Sequence, residues 1–235
     1  MSIEQLKTKR VNSILTEKLR IGLIHATPLA IEPIRHAFDS QWPEVELINL
    51  LEDSLSLDLA REGNLTPRIT QRIVDLAKYI QTTGADALLY TCSAFGPAIE
   101  EACKVFDGPV LKPNEAMFSA AIQQGGRAAL LHTFEPSAAP MAIEFEEMAE
   151  AVSSAASLTP VFVPDALKQL KAGNCEKHNQ LIGEAARTCS DYDTILLAQF
   201  SMSKARSAAE QMTDVPILTS PNAAVQMLKD NLTNR

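Results

Sequence analysis

The sequence contains no apolar run approaching the roughly 18 residues that a membrane-spanning helix needs, so no span is expected. Its opening stretch, MSIEQLKTKRVNSILTEKLR, is polar and lacks the apolar core of a secretory signal, which points to the cytoplasm. There is no CxxC pair, and the cysteines Cys92, Cys103, Cys175 and Cys189 show no zinc-like spacing with His25, His36, His132 or His178. They read as free thiols of a reducing compartment, and no metal site is expected. Basic clusters are also missing. Lys and Arg are scattered, and the net charge of −8 argues against a nucleic-acid partner. Neither GxGxxG nor GxxxxGK[ST] occurs, so a nucleotide is not indicated.

What the chain does have is 235 residues of 46% hydrophobic content, enough for one large core or two small ones. Short apolar runs alternate with segments of helical periodicity. RIGLIHA, VELINLLED, DALLYTC and GPVLKP read as strands. PLAIEPIRHAFDSQW, TPRITQRIVDLAKYIQTTGA, FGPAIEEACKVF and NEAMFSAAIQQGG read as the helices between and after them, the second with Thr66 as N-cap, Pro67 in its first turn and Gly84 past its end. This order implies βα units and a parallel sheet. The stretch after Leu50 reads as a loop.

The pattern then restarts at a fixed offset. Arg127 follows Arg20 by 107 positions (127 − 20), and the same spacing relates His132 to His25, Asp193 to Asp86 and Pro216 to Pro109. RIGLIHA lies over RAALLHT, DALLYTCSA over DTILLAQFS, and GPVLKPNEA over VPILTSPNA. One offset at three segments in the same order implies a duplicated α/β unit. The expected architecture is therefore two pseudo-symmetric, flavodoxin-like parallel-sheet halves facing one another around an inter-domain active site. The first half spans 20–126, with the last helix of the chain able to pack back on it. The second spans 127–230, and residues 1–19 form a polar lead-in.

Ligands of parallel α/β sheets bind beyond the carboxyl ends of the strands. In the first half those ends carry His25 and Thr27, then Cys92, Ser93 and Ala94, then Glu115 just after the fourth strand. In the second half they carry His132, Thr133, Gln199, Phe200 and Ser201. Facing halves would set Cys92 and Gln199 on opposite walls of one cleft.

In these residues the chain resembles the aspartate/glutamate racemase superfamily, which includes hydantoin racemase, maleate isomerase and arylmalonate decarboxylase. The resemblance covers roughly residues 20–230 and rests on the duplication, on GADALLYTCSA and on YDTILLAQFS. It implies a cofactor-independent enzyme acting at the carbon next to a carboxylate or carbonyl of a small acid. It also implies a thiol on each face of that carbon. This sequence keeps Cys92 but carries Gln199 where the second thiol would stand, and an amide exchanges no proton at neutral pH.

Cys92 is then the expected catalytic group, with His25 and His132 as candidates for a second base. A helix N-terminus after Cys92, near Pro97, is expected to lower its pKa. Thr27, Ser93, Ala94, Glu115, Thr133, Gln199, Phe200 and Ser201 are expected to contact substrate. Three readings stay open at this point: a racemase-like or cis–trans isomerase with a single cysteine, a decarboxylase of the arylmalonate type, and an inactive binder of small acids. A thiol hydrolase ranks behind them, because no residue can be assigned to orient its base. A homodimer is compatible with the sequence.

Overall fold

The computed structural model describes residues 18–233, so most of the expected polar lead-in lies outside the described residues. Two four-stranded parallel sheets form the frame. The first contains β1 (Arg20–His25), β2 (Glu46–Leu51), β3 (Ala87–Tyr90) and β4 (Val110–Leu111), in the spatial order β2-β1-β3-β4. The second repeats it with β5 (Arg127–His132), β6 (Ser157–Phe162), β7 (Thr194–Leu197) and β8 (Ile217–Thr219), in the order β6-β5-β7-β8. The arrangement is that of a flavodoxin-like sheet one strand short.

The offset of 107 residues has a structural meaning at the strand starts. The Arg20 amide donates to the Asp86 carboxylate at 2.7 Å, and the Arg127 amide donates to that of Asp193 at 2.6 Å. Each aspartate thus ties the first strand of its half to the third, and both pairs recur because both halves need the same register.

Each sheet is covered on both faces at its centre, which is why the inner strands β1, β3, β5 and β7 are buried nearly throughout rather than alternating, while the edge strands β2 and β6 are partly exposed. Ile21, Leu23, Ala87 and Leu89 face α1 (Ile31–Gln41), while Ile24, Leu88 and Tyr90 face α3 (Pro67–Thr82) and α4 (Gly96–Cys103). Thr66 caps α3 by accepting from the Ile69 amide at 3.4 Å, with Pro67 in the first turn.

One helix was not expected. The segment after Leu50 folds as α2 (Ser54–Glu62), because Leu55 and Leu59, one turn apart, are both buried and Gly63 closes the helix at φ 72. A salt-bridge network fixes it. Arg72 of α3 binds Glu52, Asp58 and the Ser54 hydroxyl, and Arg68 binds Asp58 and Glu62.

The halves exchange their last helices. α5 (Glu115–Gln124) buries Met117, Phe118 and Ala121 against Leu130 of β5, Leu196 of β7 and Phe145 of α6 (Ala138–Ala151). In return α10 (Ser220–Thr233) buries Ala224, Val225 and Leu228 against Ile34 and Phe38 of α1. The remaining helices of the second half are α7 (Ala166–Lys171), α8 (Cys175–Arg187) and the short α9 (Arg206–Glu210).

Candidate active site

In both sheets the first and third strands are neighbours whose connections leave in opposite directions, and the crevice beyond their carboxyl ends is the place such folds offer a ligand. Here the two crevices meet. A cavity of about 100 Å³ lies between the halves, with Thr27, Cys92 and Ser93 on one side and Thr133, Gln199 and Ser201 on the other. Six of the eleven residues singled out from sequence therefore share one wall-to-wall site.

The other five do not reach it. His25 is fully buried beside the cavity, where its Nδ1 pairs with the Thr91 hydroxyl at 2.9 Å and its Nε2 with the Asn49 side-chain oxygen at 3.0 Å. Both ring nitrogens are spent on the protein. Burial lowers its pKa, against a smaller pull upward from Asn49, so it is a neutral brace rather than an open base. His132 is buried against the Phe162 ring, with centroids 5.4 Å apart, and its Nδ1 has no hydrogen-bond partner among the described residues. Burial lowers its pKa as well. Ala94 is buried behind Cys92 and borders a separate groove. Phe200 packs into the core beneath α10. Glu115 turns back to accept from the Lys112 amide at 3.3 Å.

Cys92 stands two residues past the end of β3, half-buried, and is followed by a single 3-10 turn, Ser93–Phe95, that leads into α4. Burial pushes its thiol above the ordinary range, while the Ala94 backbone and the Ser56 hydroxyl pull the other way and lose. This reverses the expectation of a lowered pKa. Desolvation in the cleft outweighs the adjacent helix start, and the resting side chain is a neutral thiol.

Opposite it, the Gln199 amide is occupied. Its oxygen accepts from the Thr133 amide at 2.9 Å and from the Thr133 hydroxyl at 3.1 Å, and its nitrogen donates to the Ser137 hydroxyl at 3.1 Å. Gln199 thus fixes the loop after β5.

Two further residues of the site were missed in the sequence. Ser56, in the first turn of α2, reaches the cavity and donates to the Ala26 carbonyl at 2.7 Å. Lys171, the last residue of α7, brings the charged group of the lining from the second half. Both sit on helices that follow the second strand of their half. For Ser56 the signal that could have found it was the spacing of Leu55 and Leu59 with a glycine after them, which marks a helix starting at a strand's carboxyl end; no such local signal marks Lys171. Leu29, Ala30, Phe134 and Leu167 make the rest of the wall apolar.

Among the described residues no group of His, Cys, Asp and Glu is arranged to hold a metal ion, and no helix is long and apolar enough to cross a membrane. Of the other cysteines, Cys103 and Cys175 are exposed and Cys189 is buried. His178 is fully buried in α8.

A family model described as Asp/Glu/Hydantoin racemase matches residues 21–228. No curated protein sequence matches the chain. Among solved structures it is similar to allantoin racemase from Klebsiella pneumoniae, with a TM-score of 0.69 and 14% identity over 92% of this chain and 89% of that one. Aspartate racemase from Picrophilus torridus gives a TM-score of 0.67 and 14% identity over 90% of this chain and 94% of that one. Glutamate racemase from Francisella tularensis, in complex with D-glutamate, gives 0.68 and 14% over 92% and 82%.

Proposed function

The chain belongs to the Asp/Glu/Hydantoin racemase family and is an isomerase of the racemase type, and from that premise we propose that it moves a proton at the carbon alpha to a carboxylate or carbonyl with Cys92 as its one proton carrier. The observation that supports this is the placing of Cys92 and Lys171 on the same cavity from opposite halves. Lys171 holds the anionic oxygens, with the Ser93 and Ser201 hydroxyls beside them. The Cys92 thiol first gives its proton to solvent; the thiolate so formed takes the α-proton, and the electron pair of the broken C–H bond moves into the carboxylate or carbonyl as an enolate. The same sulfur then returns the proton. Gln199 cannot serve as a second carrier, because an amide does not ionise and its polar atoms are engaged by Thr133 and Ser137. A changed product therefore requires the planar intermediate to present another face or another carbon to Cys92.

The test is isotopic. Small acids and hydantoins incubated in D2O with the protein are followed by loss of the α-proton signal. Cys92→Ser should slow exchange by roughly 10²- to 10⁴-fold, the usual contribution of a positioned acid–base group. Undiminished exchange would overturn the assignment. A single carrier further predicts that part of the first-turnover product keeps the substrate's own hydrogen, whereas two carriers would fill the position from solvent alone.

A second reading is supported by the burial that holds Cys92 protonated. A proton donor waiting on one face suits quenching of the carbanion left when carbon dioxide departs. Release of carbon dioxide from a 2-substituted malonate separates the two.

A further inference from the structure

Gln199 is spent on a neighbouring loop, and that loop carries a ring into the cavity. We propose that Phe134 limits the size of the acid that reaches Cys92, and that Gln199 is the positioning residue that keeps the ring in place. The proposal rests on the reading of the Cys92 cleft as the active site. It names the residue that selects the occupant by size, with short-chain acids admitted and aryl-substituted ones excluded.

Phe134 follows β5 in an extended conformation, at φ −130 and ψ 104, and leads into the 3-10 turn Glu135–Ser137. It belongs to the second half, yet its side chain packs against the buried cluster of the first half that contains Leu55, Ala94 and Phe95. Cys92 packs against the same cluster. The ring therefore reaches across the cleft, and it is the one aromatic side chain among the described residues that line the cavity. The position 107 residues earlier (134 − 27) is Thr27, so the first half sets a small side chain where the second sets a phenyl ring. About 100 Å³ remains, well under the roughly 300 Å³ at which ligand pockets usually begin.

The loop has little freedom to move the ring aside. The Phe134 carbonyl accepts from the Ser137 hydroxyl at 2.7 Å and from the Ser137 amide at 3.2 Å. That hydroxyl accepts in turn from the Gln199 nitrogen, while the Gln199 oxygen takes the Thr133 amide and hydroxyl. Gln199 thus grips the residue before Phe134 and the residue three after it. A half-buried amide with three such bonds resists displacement, because opening the loop strands their donors and acceptors away from water. A thiol at this position would offer neither the carbonyl oxygen nor the second donor.

The test reads the size of the opening with Cys92 itself. The intact protein is treated with methyl methanethiosulfonate or with its benzyl homologue. In each reaction the cysteine thiolate attacks the sulfenyl sulfur, forming a mixed disulfide and releasing methanesulfinate. Rates at each cysteine are followed by mass spectrometry. Dividing the Cys92 rate by that of the exposed Cys175 removes the difference in reagent reactivity. From methyl to benzyl this ratio should fall at least roughly tenfold in the native protein, the scale on which an apolar pocket discriminates by size, and by less than about threefold in Phe134→Ala. Phe134→Leu should lie between, and carries the test if the alanine variant does not fold. Gln199→Ala should ease the discrimination too, but should add nothing in the Phe134→Ala background, where no ring is left to hold.

Equal discrimination in the native protein and the Phe134 variants overturns the proposal for the ring. Additive effects of the two alanine substitutions overturn it for Gln199. Labelling of the buried Cys189 that rises together with that of Cys92 also overturns it, because the variants then act by loosening the fold. None of these ratios depends on whether Cys92 moves a proton; that reading fails separately if Cys92→Ser leaves proton exchange unchanged.

Discussion

The two halves share a frame and differ at the ends of equivalent strands. In the first half His25 is braced by Asn49 and Thr91, and the next residue after Thr91 is a cysteine. In the second half the position paired with Leu130 is Pro160 where Asn49 pairs with Leu23, and Ala198 stands where Thr91 does. His132 consequently keeps a nitrogen without a partner, and the cysteine position holds Gln199, whose amide secures Thr133 and Ser137. The duplication preserved what the sheets need, namely the Arg–Asp register ties and the apolar strands. On the proposed reading, the half that carries Cys92 is the side that reacts, and the half that carries Gln199 holds and shapes.

Substitutions can break this division or sharpen it. The largest effect is expected from exchanging the roles. Gln199→Cys would set a thiol on the second wall, and products of the variant should take up solvent deuterium on both faces, read by chiral chromatography and NMR. Gln199→Ala, by contrast, should leave the Cys92-dependent exchange rate within about tenfold while costing about 1–3 kcal/mol of stability, because the Thr133 amide loses its acceptor.

The histidine pair should separate next. His25→Leu strands the Asn49 and Thr91 polar groups and should cost about 2–4 kcal/mol in denaturant unfolding. His132→Leu removes a side chain with an unpartnered nitrogen and should stay within about 1 kcal/mol. Equal costs would show that the asymmetry is not energetic.

A smaller change concerns the thiol. The raised pKa of Cys92 predicts that native labelling by iodoacetamide at pH 7 is slower at Cys92 than at the exposed Cys175, and that Cys92 catches up only above the free-thiol midpoint near pH ~8.5. Ser56→Ala removes one of the groups that favour the thiolate and should move that midpoint higher still.

The smallest effect is on stability against pH. Burial lowers the pKa of His25, His132 and His178 below the unfolded value. The fold therefore favours their neutral forms. That contribution is complete above roughly pH 6.5 and is lost as the pH falls through the folded values. Unfolding midpoints should drop between neutral pH and pH 5, with a shallower slope in the double variant of His25 and His132.

Much of this was readable from the residues because it depends on short-range rules. Buried parallel strands are apolar throughout, and Thr66, Pro67 and Gly84 punctuate α3. The repeat then carries the reading of one half over to the other. What escaped depends on contacts between segments distant in the chain. Whether a strand-end histidine is open or braced rests on Asn49 and Thr91, which lie 24 and 66 positions from His25. The pKa of Cys92 follows from how tightly the halves close over it, and the helix after it gave the opposite impression. Lys171 reaches the cavity through the packing of α7, and no local pattern marks it. The Ser54–Glu62 stretch alternates Leu with polar residues at its start and so hides a helix whose buried pair, Leu55 and Leu59, lies four apart.

The exchange of terminal helices sets an order of events during synthesis. Residues 20–111 can leave the ribosome with all four strands of the first sheet, yet the groove beside α1 receives its cover only when Ser220–Thr233 emerges. At about 5–20 residues per second, that interval is several seconds or more, during which Ile34 and Phe38 face solvent or a chaperone. The second half has no such wait, since α5 precedes it. The first half is thus the one completed last, its α1 groove filled only by a helix from the far side of the second half.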